Sequence, residues 1–74
     1  MATDAMVMDV ECIGSMAGNI WQYLSTNGPV TVAKLVRELD SPRDLTMQGI
    51  GWLAREGKVQ FQESARSRLI MLAD

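Results

Sequence analysis

Five side chains in the second half of the chain carry the chemistry most worth following. Arg43, Gln48 and Arg55 fall within one stretch of helical periodicity, and Arg66 and Arg68 sit in and just after a polar turn. A guanidinium presents a planar fork of donors that matches a phosphate or the O6/N7 edge of guanine. A glutamine amide, with one donor side and one acceptor side, matches the N6/N7 edge of adenine. Lys34 and Arg37, earlier in the chain, are further cations able to touch a phosphate, which fixes register without specifying sequence. Held on one surface, these groups would grip a nucleic-acid backbone and read base edges. Asp44 opposes that reading, because it shares the stretch and would face a polyanion. The competing reading is a solvated helix face on which Asp44 complements the positive end of the helix dipole. Two arginines near a turn also serve solubility.

Charge sets a limit on any such contact. The chain holds seven Lys and Arg against nine Asp and Glu, for a net charge of −2 and a pI near 4.9. Domains that bind DNA usually show a basic footprint, so the affinity expected here is modest and salt-sensitive. The balance is uneven. Residues 1–40 carry two basic and five acidic side chains, net −3; residues 41–74 carry five and four, net +1.

Other chemistries lack their parts. Cys12 is the single cysteine and histidine is absent, which removes an internal disulfide, Cys/His metal clusters and His-dependent triads. There is no glycine-rich phosphate loop. Glu56 and Glu63 are isolated carboxylates. A chain of 74 residues has little room for a pocket of the usual size, about 300–1,000 Å3. The expectation is a protein that is not an enzyme and takes no cofactor. Cys12 is read as a small buried hydrophobe. The lack of a disulfide framework fits a reducing cytoplasm. Met1 to Val10 has Asp4 and Asp9 and no basic residue, so a signal peptide is not expected. No apolar run approaches the roughly 18 residues of a membrane span, so no membrane partner is expected.

The elements that must position these groups follow from periodicity. Residues 1–8 form a Met-rich lead-in, expected to be flexible, and residues 9–74 one domain. From Asp9 to Thr26, Ile13, Met16, Ala17, Ile20 and Leu24 recur at offsets of three and four, which predicts a helix with one apolar face. Gly14 and Gly18 on it would admit a closely packed backbone. Asn27-Gly28-Pro29 ends it, and Val30 reads as a short extended link. Thr31 caps a second helix over residues 32–39, with Val32, Leu35, Val36 and Leu39 inward. Ser41 is expected to cap a third helix, with Pro42 at its first position and Asp44 three residues after the cap. Thr46, Met47, Ile50, Leu53 and Ala54 would face inward, and Asp44, Gln48, Gly51 and Arg55 outward. Gly57 stops this helix. Lys58 to Gln62 alternates polar and apolar, as a half-buried strand does. Ser64-Ala65-Arg66-Ser67 is a turn, and Arg68 to Leu72 is the returning strand.

That strand is apolar on both sides, with Leu69 and Met71 on one and Ile70 and Leu72 on the other, so both sides require cover. Ile70 and Leu72, with Met6 and Met8 of the lead-in, are expected to form a partner surface that binds a second copy or another protein. Trp52 has three readings: packing against the hairpin, which is the simplest, a stacking platform for a base, or an anchor for a protein partner. The same holds for Trp21.

The order predicts a mainly α (α+β) winged helix-turn-helix: three helices followed by a two-stranded antiparallel β-hairpin wing. The segments Gly28-Pro29-Val30-Thr31, Val32-Ala33-Lys34-Leu35 and Gly51-Trp52-Leu53-Ala54-Arg55-Glu56-Gly57-Lys58-Val59 resemble a family of small prokaryotic winged helix-turn-helix proteins whose domain has no assigned function. The resemblance runs from about Asp9 to Leu72. It implies the fold and a homodimer, and brings no activity, cofactor or catalytic residue. Two functional expectations result. In one, a DNA-binding or transcription-associated protein sets its third helix in the major groove, with Gln48 and Arg55 as readers and Arg66 and Arg68 on phosphate. In the other, the fold serves as a protein-interaction module or homodimer without DNA contacts.

Overall fold

A computed structural model of the chain describes residues 10–73. Helix α1 spans Val10–Asn27, strand β1 Val30–Thr31, helix α2 Val32–Leu39, helix α3 Arg43–Arg55, strand β2 Val59–Glu63 and strand β3 Arg68–Leu72. Three helices and a hairpin stand where the periodicity places them. Met6, Met8 and the rest of the lead-in lie outside the described residues.

Local chemistry accounts for the boundaries. Gly28, at φ 78°, lets the chain leave α1 while its N–H still donates to the Leu24 carbonyl at 2.9 Å. Thr31 caps α2 as expected: its Oγ1 accepts from the Lys34 N–H at 3.1 Å. Asp40 ends α2 in the left-handed region at φ 51° and ψ 43°, which an aspartate tolerates better than most residues. The start of α3 differs from expectation. Pro42, not Ser41, is its N-cap, with φ −55° and ψ 134°. Ser41 is engaged elsewhere, its hydroxyl donating to the Leu39 carbonyl at 3.2 Å and so satisfying the exposed end of α2. Thr46 compensates by donating to the Pro42 carbonyl twice, from N–H at 3.0 Å and from Oγ1 at 3.2 Å. At the far end Gly57 (φ 72°) closes α3 in a Schellman arrangement. Its N–H donates to the Ala54 carbonyl at 3.0 Å, and that of Lys58 to the Leu53 carbonyl at 2.9 Å.

The sheet has three strands rather than two, in the order β1-β3-β2, all antiparallel. The link at Val30 is a strand because β3 offers it a free edge: Val30 pairs with Ile70 and Thr31 with Leu69. On the other side Val59 pairs with Leu72 and Phe61 with Ile70. Paired residues share a face, so Val30, Val59, Ile70 and Leu72 look the same way, onto the helices. Ile70 is 0% exposed, and Leu72 packs half-buried against the core. The expectation that these two residues form a partner surface is therefore corrected: register assigns them to the core side of the sheet. Leu69 and Met71 are the outward pair, and both are half-buried. From Gln60 onward every β2 residue is exposed, so this end of the hairpin stands away from the helices as the wing.

The core joins Met16, Ala17, Ile20 and Leu24 of α1 to Leu35, Ile50, Leu53 and Ile70. Its tightest point is Gly49. A Cβ there would lie 2.9 Å from Ile20 Cδ1, 2.9 Å from Met16 Cγ and 3.2 Å from the Ala17 nitrogen. Only glycine lets α3 come this near to α1. At Gly14 and Gly18, expected to be the points of close approach, nothing among the described residues lies within 4 Å of an added Cβ. Gly49 also turns α3. Its buried residues are Thr46, Gly49, Ile50 and Leu53, spaced at offsets of three, four and seven, so Met47 and Ala54 move outward instead of inward.

Candidate nucleic-acid interface

With Gly49 against α1, the opposite side of α3 is free. Asp44, Gln48, Gly51 and Arg55 are all exposed there, as the periodicity predicts, and Met47 joins them at 36% exposure. Arg43 and Arg55 stand twelve residues apart at the two ends of the helix, roughly 18 Å along its axis at 1.5 Å per residue.

The wing completes the surface. Ser64 holds its turn: the hydroxyl donates to the Ser67 carbonyl at 3.3 Å and accepts from the Ser67 N–H at 3.3 Å, while the Ser64 N–H donates to the same carbonyl at 2.9 Å. This closes the hairpin with Arg66 at its tip. Between the projecting wing and the helix-turn-helix lies an open groove of about 400 Å3. Arg43 and Met47 of α3, Ala33 of α2, and Glu63, Arg66 and Arg68 of the wing line it. Three of the arginines predicted to act together are thus brought together from segments more than twenty residues apart.

Among the described residues, one carboxylate lines the groove with them. Glu63 Oε2 accepts from Arg68 Nη2 at 2.9 Å and from Arg68 Nε at 3.0 Å, which holds Arg68 alongside the wing. Among the described residues, Arg43 and Arg66 have no ion-pair partner. Lys34 and Arg37 are exposed on α2. Arg37, four residues after Ala33, lies on the helical face that borders the groove; Lys34 is turned further round. Arg55 is separate from the cluster, at the C-terminal end of α3, where it lines a second concavity of about 300 Å3 with Trp52 and Glu56. The other ion pair, between Lys58 and Glu56 at 3.6 Å, lies at that end too. Trp52 is 36% and Trp21 43% exposed. Cys12, expected in the core, is exposed on α1. Among the described residues no three Cys, Asp or Glu side chains converge as a metal-holding set, and no helix is long and apolar enough to cross a membrane.

Met47 and the Glu63–Arg68 pair were not legible as parts of this surface. The inward offset pattern through Gly49 was the signal that would have put Met47 outside.

Three helices, a turn of three residues between the second and third, and a projecting hairpin define a winged helix-turn-helix. Residues 8–72 match the winged helix-turn-helix domain family designated DUF2582. The chain belongs to this family. A solved structure reported for the DNA recognition and protein interaction domains of HOP2 shares the winged-helix fold with a TM-score of 0.62 at 21% identity. The match covers 78% of this chain and 98% of that one. No curated protein matches the chain by sequence. In this winged helix, Arg43, Arg66 and Arg68 meet at the groove between wing and α3, within a chain of net charge −2.

Proposed function

We propose that this winged helix binds duplex DNA, with α3 in the major groove and the wing tip on the adjoining phosphates. One observation carries the reading. Arg43, Arg66 and Arg68 converge on a single groove faced by one carboxylate, although the whole chain has a net charge of −2. Cations gathered at one place in an acidic protein create a local field that attracts a polyanion, while the rest of the surface repels it. The exposed α3 face lies beside that groove, as base readout next to backbone gripping requires. The likeness to the HOP2 structure, described for DNA recognition, supports the same reading.

The experiment is a fluorescence-anisotropy titration of a labelled random-sequence duplex at about 50 and 200 mM salt. Dissociation constants on the order of 10⁻⁴ to 10⁻⁶ M that weaken steeply with salt are expected. An absence of binding at tens of micromolar protein in low salt refutes the proposal. A second reading, association with another chain, draws on one feature of β2. It is an edge strand, and it carries Phe61 at 43% exposure, and unpaired strand edges invite pairing. Light scattering at hundreds of micromolar tests it, and a monomer there rejects it.

A further inference from the structure

The groove arginines explain grip but not which sequence is gripped. Resting on the DNA-binding reading above, we infer that the α3 face is built to read an A·T base pair, Gln48 taking the adenine and Met47 the thymine methyl. Gln48 is exposed and lies near the middle of the free face, one turn after Asp44 and one turn before Gly51. Its amide pairs one donor and one acceptor with the N6/N7 edge of adenine; guanine shows two acceptors there and suits an arginine instead. Arg43, the cation nearest to Gln48 along α3, faces the groove with the wing and is placed for phosphate.

Two neighbours reinforce the choice. Asp44 shares the Gln48 face and is an acceptor only, so it meets the amino groups of adenine or cytosine favourably and the O6/N7 edge of guanine unfavourably. Met47 is the apolar side chain beside Gln48 on the wing side, and in the major groove the apolar feature of a base pair is the thymine methyl. Gly51 has a separate part. Nothing among the described residues lies within 4 Å of a Cβ built on it, and its φ is not positive. The fold therefore gives no reason for glycine at this position. A bare helix surface one turn from Gln48 lets the backbone come close enough for a side chain as short as glutamine to reach a base edge.

The test is selection from a randomised duplex library, with sequencing of the bound fraction, on the unmodified chain, Gln48→Ala and Gln48→Arg. The unmodified chain should enrich an A·T pair at one position. Gln48→Ala should flatten that position, a loss of roughly 5- to 150-fold in discrimination. Gln48→Arg should move the preference from adenine to guanine, a change that a merely structural role would not produce. Enrichment of G·C at that position by the unmodified chain, or binding without any enrichment, overturns the inference and leaves DNA binding intact. Failure to bind any duplex overturns both.

Discussion

Gly49 and Gly51 sit two residues apart in one helix and should respond oppositely to the same substitution. Replacing either with alanine in a helix gains about 0.8–1.0 kcal/mol of intrinsic propensity. At Gly51 that gain is unopposed, since the new methyl enters open space. At Gly49 the methyl meets Ile20 Cδ1 and Met16 Cγ at 2.9 Å and the Ala17 nitrogen at 3.2 Å. Ile20 and Met16 are buried and Ala17 N is main chain, so relief requires α1 and α3 to move apart. Overpacking of this kind costs roughly 1–3 kcal/mol. The propensity gain is common to both variants and cancels in their difference, which isolates the steric cost. Gly51→Ala should therefore exceed Gly49→Ala by roughly 1–3 kcal/mol, or about 4–24 °C in Tm at the 4–8 °C per kcal/mol of a domain this size. Thermal melts and urea titrations of both variants beside the unmodified chain measure it. If Gly49→Ala proves as stable as Gly51→Ala, the close approach of α1 and α3 is wrong.

Three further outcomes are expected. Arg43→Ala and Arg66→Ala, at exposed positions, should leave stability within about 0.5 kcal/mol yet each lower the slope of log K against log salt by roughly 0.9 in the anisotropy titration; unchanged slopes would remove both from the phosphate-binding set. Glu63→Gln frees Arg68 from a surface pair worth at most about 1 kcal/mol, so the melting temperature should barely move while DNA affinity and salt dependence rise; a fall in affinity would mean that the pair positions Arg68 productively. Ile70→Ala empties a fully buried site and should cost about 2–5 kcal/mol. In a small domain of marginal stability that loss should appear in far-UV circular dichroism as a largely unfolded chain at 37 °C, and a melting temperature within about 4 °C of the unmodified chain would contradict the assignment of Ile70 to the core.

The elements were legible because each has a local cause: the apolar spacing of α1, the Thr31 cap, the Gly57 stop and the alternation after Lys58. Errors arose from one local competition, at Ser41, and otherwise where a distant segment decides. Ser41 looks like a cap in isolation, but its hydroxyl goes to the end of α2. Val30 carries no strand pattern in so short a stretch and becomes one because β3 lies beside it. Ile70 and Leu72 have the same composition whichever way they face, and only register with Val30 and Val59 turns them inward. Candidate-site residues were found one by one from their chemistry. Which of them share a groove depends on where the wing stands relative to α3, and periodicity holds no record of that.

The position of β3 has a consequence for the order in which the chain can fold. This strand lies between the other two and follows both of them in sequence, so the sheet assembles around residues 68–72. Val30 finds its partner only forty residues later, in Ile70, a loop closure far longer than that of any helix here and slow for that reason. During synthesis α1, α2 and α3 can form and collapse early, but neither β1 nor β2 has a neighbour until residues of β3 have emerged. The wing therefore takes its place beside α3 only after β3 has paired, and a chain interrupted before Arg68 presents cations without the groove that gathers them.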